Sequence, residues 1–146
     1  MKGDDLPPED HVLRHCSSRL LKIDDDSRDI LGVFPFAFEP DADGISVTWV
    51  EFFAGSPSER LAAAREALGR RRALRRTHRL AKLNVGDVLS AGKAVGVATR
   101  VVHDPIEAPP DKENLAHSLI VGVTADQHEL MNRIANLVIS LEAARE

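Results

Sequence analysis

Apolar positions alternate along some stretches of the chain and recur at helical spacing along others, and these two periods divide it into elements. Residues 1–10, with Pro7-Pro8, read as a flexible lead-in to a single domain over residues 11–146. HVLRHCSSRLL mixes apolar and polar residues and yields a strand near residues 11–15. KIDDDSRD is a turn, because three adjacent aspartates repel one another and seek water. ILGVFPFAFEP alternates, with Phe34, Phe36 and Phe38 on one face and Pro35 marking an edge or a strand end. Together these segments predict a β-hairpin. DADG is a further turn signal. ISVTWVEFFAG is strand-like in composition. Ser46 is also a fitting cap, though, and Trp49, Val50 and Phe53 would then share a helical face, so the expectation is a short helix ended by Gly55.

SPSERLAAAREALGRRRALRR is a clearer helix: Ser56 caps, Pro57 opens, and Glu59 completes a capping box. Gly69 weakens it. HRLAKLNVG predicts a strand burying Leu80, Leu83 and Val85, and Asp87 a cap for a short helix, VLSAGKAVG. VATRVVHD and HSLIVGV predict strands on either side of the loop PIEAPPDKEN. Last, Thr124 and Gln127 give a capping box before a wide stripe of Leu130, Met131, Ile134, Leu137, Val138 and Leu141, a terminal amphipathic helix. Strands and helices mix without strict βαβ alternation. The fold class expected is α+β, a small mixed or antiparallel sheet with helices packed on it.

Length and composition narrow the setting. A chain of 146 residues suits one core, and with five Phe, one Trp and no Tyr that core must be mostly aliphatic. The single cysteine, Cys16, excludes an intrachain disulfide and suits a reducing compartment. The acidic start MKGDDLPPEDHV offers no apolar stretch for a signal peptide, and no apolar run approaches the roughly 20 residues of a membrane helix. The expectation is a soluble, cytoplasmic protein with no membrane contact. The net charge of −4 is unevenly spread. Acids crowd residues 4–29 and bases crowd residues 60–82, an asymmetry that marks a charged partner or two parts of one fold that neutralise each other.

The series DHVLRH, FPFAF, ISVTWVEFF, VVHDP, ENLAHS and IVG resembles a family of short, uncharacterised bacterial proteins with a D-H-V-x-R, S-V-x-W and late D-P…N-x-A-H pattern. The resemblance spans most of the chain and implies that these segments act together. It implies no activity, cofactor or partner.

The first candidate chemistry is centred on histidine. His103 and Asp104 end one strand and His117 begins the next, so neighbouring strands would bring both imidazoles to one sheet edge. No cofactor is expected; in the alternative, His103, Asp104 and His117 are ligands for a divalent metal such as zinc. With His11 and Arg14 from the first strand, His103 and His117 form a candidate catalytic set. The histidines would act as acid and base, and Arg14 would hold an anionic substrate. The plainer alternative is a strand-to-turn junction in which Asp104, Pro105 and Asn114 serve only the backbone. No HExxH or CxxC motif is present.

The second candidate is RRRALRRTHRLAK, residues 70–82. Arg70, Arg71, Arg72, Arg75, Arg76, Arg79 and Lys82 form a partner- or anion-binding surface, and on a helix Arg72, Arg75, Arg76 and Arg79 would share a side. No aromatic residue interleaves with them and the chain is acidic overall, so nucleic acid is not the favoured partner. Neighbours on a strand point to opposite faces, which separates Cys16 from His15 and makes it a small core or boundary residue. Gly86, Gly92 and Gly96 form no phosphate-binding fingerprint. The terminal helix reads as core, and a homodimer through it stays open.

Three functions follow, in order: an interaction or accessory module with a protein partner, a small histidine-centred enzyme acting on a phosphate-bearing or nucleotide substrate, and nucleic-acid binding through residues 70–82.

Overall fold

A computed structural model of the protein describes residues 1–146. In chain order its strands are β1 (His11–Cys16), β2 (Leu21–Ile23), β3 (Ile30–Val33), β4 (Ile45–Trp49), β5 (Arg79–Asn84), β6 (Arg100–His103), β7 (His117–Val121) and β8 (Ser140–Ala143). Its helices are α1 (Pro57–Gly69), α2 (Val85–Ala94) and α3 (His128–Asn136). Six strands form one antiparallel sheet in the order β6-β7-β4-β1-β5-β8, while β2 and β3 form a separate hairpin. This is the α+β class expected.

Register decides what each face carries. Leu13 lies opposite Thr48, and Thr48 opposite His117. Alternation along the strands adds His11, His15, Leu80 and Lys82 to that face. Helix α1 covers it, joining Ala64 and Leu68 to Leu13, Val50 and Leu80. The opposite face is more apolar. Val12, Ile45, Ala81, Leu83, Val101 and Ile120 pack there against Val85 and Val88 of α2 and Leu130, Met131 and Ile134 of α3.

Helix α1 begins as its sequence dictates: the Glu59 amide donates to Ser56 Oγ (3.2 Å) and the Ser56 amide to Glu59 Oε1 (3.0 Å). Such caps contribute about 1 kcal/mol. The cap of α2 is Asn84, whose Oδ1 accepts from the Asp87 amide (2.9 Å), rather than Asp87 itself.

Three elements differ from expectation. ISVTW is a strand, not a helix, and sits inside the sheet between β1 and β7. A strand covered on both faces loses the clean alternation that separates it from a short helix. PFAF is a 3-10 turn opened by Pro35, which buries Phe38 and leaves Phe36 exposed; β3 pairs with β2 and not with β1. The terminal helix is shorter than its apolar stripe. It ends at Asn136, and Leu141 lies in β8, which pairs with β5 and covers its open edge.

The segment expected to lead flexibly into the domain runs along β6. The Gly3 amide donates to the His103 carbonyl (2.7 Å), the His103 amide to Asp4 (2.9 Å) and the Leu6 amide to Val101 (2.9 Å), while the Leu6 side chain enters the core. No helix is long and apolar enough to cross a membrane.

Candidate functional site

β1 and β4 pair only at Val12–Trp49 and Leu13–Thr48. Beyond that point β1 stays with β5, through Arg14–Ala81, His15–Leu80 and Cys16–Arg79, and β4 stays with β7. The sheet therefore opens, and a cleft of about 110 Å³ lies over the opening. Leu13 and His15 of β1 and Ser46, Val47 and Thr48 of β4 form its floor. Leu68 of α1 and Arg71 and Arg72 just beyond its end approach from one side, and Ile106 and Asn114 of the loop before β7 and His117 at the start of β7 from the other. The eleven lining residues include two arginines, two histidines and no acid.

Backbone and side-chain bonds fix these groups. Ile106 and Asn114 exchange amide hydrogen bonds (2.9 Å each) and close the loop at its base. Asn114 is buried; its Nδ2 donates to Thr48 Oγ1 (3.2 Å) and its Oδ1 accepts from the Ala116 amide (3.1 Å). Arg71 Nη1 donates to the Lys112 carbonyl (3.0 Å) and Arg70 Nη1 to that of Glu113 (3.3 Å), so the end of α1 is tied to the loop. Arg70 also pairs with Glu66 (3.0 Å).

The tautomers follow from the partners. Arginine can only donate, so Arg72 Nη1 gives its proton to His15 Nδ1 (3.3 Å). His15 must then donate from Nε2 to His78 Nδ1 (3.0 Å). Burial first, then Arg72, His78 and Arg14, push His15 down to about 4, so it is neutral near pH 7. A carbonyl can only accept, so His117 donates from Nδ1 to Asp104 O (2.8 Å), with the Asp104 carboxylate 3.2 Å away. This leaves His117 Nε2 without a partner in the chain, in a residue that lines the cleft.

The histidine set drawn from the sequence is not brought together. His103 lies opposite Ser118, so it projects from the face opposite to His117. Its Nε2 donates to the Leu115 carbonyl (2.7 Å), and its ring packs against Trp49 (5.3 Å) and Phe52 (5.8 Å). Of His103, Asp104 and His117, only the last two meet, and no group of three or more His, Cys, Asp or Glu is placed to hold a metal ion. Arg14 lies on the core side of the opening, where Nε donates to the Ala37 carbonyl (2.9 Å) and Nη1 to that of Ser46 (2.9 Å). His11 lines a second cavity with Glu51.

The arginine-rich segment is likewise divided. Helix α1 ends at Gly69 and residues 70–78 are irregular, so Arg72, Arg75, Arg76 and Arg79 share no helical side. Arg79 Nη1 donates to the carbonyls of Arg76 (2.7 Å) and His78 (2.8 Å). Arg75 and Arg76 are exposed and unpaired. No ion pair joins an acid of residues 4–29 to a base of residues 60–82; Asp5 pairs with Arg100 (2.9 Å).

The sequence reading missed His15, Asn114, Ser46 and Thr48 as cleft residues. Alternation on β1 places Leu13 and His15 on one face, which was the available signal; nothing in the sequence announces His78, 63 positions from His15. No family model, no curated protein and no solved structure matches the chain.

Proposed function

We propose that this protein is an accessory module that recognises one oxyanion group, phosphate or carboxylate, presented by a protein partner. The observation that carries this reading is the lining of the cleft: Arg71, Arg72 and His117 meet there with Asn114, Ser46 and Thr48, His15 holds Arg72 in place, and no acid lines the space, Asp41 acting on Arg72 from outside it. Arginine suits oxyanions because its planar fork matches their geometry. The volume holds a few waters or one such group. A lone buried cysteine suits the cytoplasm as the setting. The exposed Arg75 and Arg76 extend the positive surface beside the cleft and would contact the rest of an acidic partner.

One observation favours a second reading, a small enzyme using the same cleft. Asp104 and its carbonyl hold His117 Nδ1, leaving Nε2 of this lining residue free to serve as an acid–base group. Nucleic-acid binding has less support, because Arg70 and Arg79 are already bonded within the chain and no Phe, Trp or Tyr stands among residues 70–82 to stack on a base.

The test is a titration with inorganic phosphate, followed by the imidazole NMR signals. The expected result is saturable movement of His117 and His15 while His103 stays still, and loss of that movement in Arg72→Gln. Equal movement of all histidines, or none at millimolar phosphate, removes the anion cleft.

A further inference from the structure

The second cavity, about 150 Å³, lies on the other side of the α1–β1 contact, with Leu13 as a wall shared with the cleft. Its polar groups are His11, Glu51, Arg60, Lys82 and Glu142. Glu51 grips His11 twice: Oε1 accepts from the His11 amide (2.6 Å) and Oε2 meets the ring at Nδ1 (2.7 Å). A carboxylate only accepts, so Nδ1 carries a proton and Nε2 makes no hydrogen bond within the chain. Lys82 stands on the neighbouring strand and the same face, diagonal to His11, since His11 lies opposite Asn84 and Leu13 opposite Lys82. Lys82 has no ion pair. Arg60 donates from Nε to the Phe53 carbonyl (2.9 Å), which fixes its guanidinium at the cavity.

We infer that this cavity is a second small-molecule site, separate from the anion cleft, in which Lys82 and Arg60 hold a small oxyanion and His11 accepts a proton from the bound molecule. The ligand class is a small phosphate or carboxylate compound bearing a hydroxyl or amine. The proton leaves that group for His11 Nε2, and Glu51 stabilises the imidazolium formed. Glu51 is a positioning residue: its two contacts set both the angle of the ring and its tautomer. A half-buried, doubly held imidazole with a free nitrogen, in a cavity that also holds Lys82, Arg60 and one further acid, Glu142, is costly to assemble for packing alone, where a leucine would fill the space.

The tautomer makes the inference testable. In Glu51→Gln the side-chain oxygen still accepts from the His11 amide. The amide nitrogen now donates to Nδ1, and the proton must move to Nε2. Shape is kept and the acceptor is lost, as in other carboxylate–histidine pairs. Two readouts apply to the full chain. Long-range nitrogen–proton NMR reads the tautomer directly, Nδ1–H in the wild type and Nε2–H in Glu51→Gln. Diethyl pyrocarbonate reads the lone pair: Nε2 attacks its carbonyl carbon, a nitrogen–carbon bond forms, and ethyl carbonate leaves and decays to ethanol and carbon dioxide. Peptide mapping then compares His11 with the exposed His128. Expected are faster reaction at His11 than at His128, slowing by about tenfold or more in Glu51→Gln, and protection of His11 by inorganic phosphate or acetate that Lys82→Gln abolishes. Protection by only one of the two anions supports the site and assigns its ligand to that source. A wild-type Nε2–H tautomer, or reaction at His11 no faster than at His128, overturns the proton acceptor. Failure of both anions to protect His11 overturns the binding site. Because each histidine is mapped separately, loss of protection at His15 and His117 reports on the cleft alone.

Discussion

Arg14 donates from Nη1 to the Ser46 carbonyl (2.9 Å) across the gap where β1 and β4 separate. Its Nε serves the Ala37 carbonyl in the 3-10 turn, so one guanidinium ties the split sheet to the element that buries Phe38. Burial lowers its pKa, countered in part by Cys16 and Asp41. The role is structural, and Arg14 is absent from the cleft lining. Arg14→Met keeps the stem and deprives both carbonyls of their donor. It should cost about 1–3 kcal/mol in urea unfolding. Phosphate affinity of the folded variant should change little, and a large loss of affinity would place Arg14 among the ligand-holding groups.

His103 and His117 should respond to substitution in opposite ways. His103→Ala removes a buried ring from beside Trp49 and Phe52 and the donor to Leu115. The expected loss is about 2–4 kcal/mol of stability with phosphate binding kept. His117→Ala should fold with a smaller loss and bind phosphate about tenfold more weakly, equivalent to about 1.4 kcal/mol. Trp49, the single tryptophan, reports unfolding for both by fluorescence. Equal effects of the two substitutions on binding would contradict the separation of the faces.

Stability should fall as acid is added through the range set by His15. Its folded pKa is about 4 against an ordinary 6.5, because burial and then Arg72, His78 and Arg14 oppose its charge. Between those values the unfolded chain takes up a proton that the folded protein refuses, so stability rises with pH across the window. The contribution is present above about pH 6.5 and is lost as pH falls toward about 4. Allowing for solvent screening at this half-buried site, the loss is about 1–2 kcal/mol. His15→Gln keeps an acceptor for Arg72 and a donor for His78 but does not titrate. Urea unfolding from about pH 7 down to about pH 4 should show the variant losing less stability than the wild type by that amount. Parallel losses would mean that His15 is protonated with ease in the folded state.

What the sequence disclosed depended on the range over which the signal acts. Local signals were legible: the Ser56–Glu59 box marks α1, and the β-branched run RVVH marks β6. The α+β class followed from the mixture. Signals that depend on distant partners were not legible. ISVTW becomes a strand because β1 and β7 flank it, and its apolar positions alone suit a short helix as well. Leu141 belongs to a strand because β5 has a free edge to pair with. The two candidate groups did meet in part, Arg71 and Arg72 with His117, but the residue between them, His15, is defined by contacts to Arg72 and His78 far along the chain. The expected pairing of His103 with His117 failed through a single step in register, which sends adjacent positions to opposite faces.

Cys16 should be inert in the folded protein. It is fully buried on the core face of β1, and Sγ donates to the Arg14 carbonyl (3.5 Å). Burial pushes its thiol up to about 11, and the nearby Arg14 charge only partly offsets this. Near neutral pH about one thiol in ten thousand is ionised, and the thiolate is the reactive form. Iodoacetamide should therefore leave the native protein unmodified over hours and label it rapidly in urea. The labelling rate in rising urea should track the unfolding measured by Trp49 fluorescence, since opening of the core is the only route to the thiol. Native-state labelling as fast as that of free cysteine would mean that β1 leaves the sheet readily, and the cleft over its split from β4 would lose its floor.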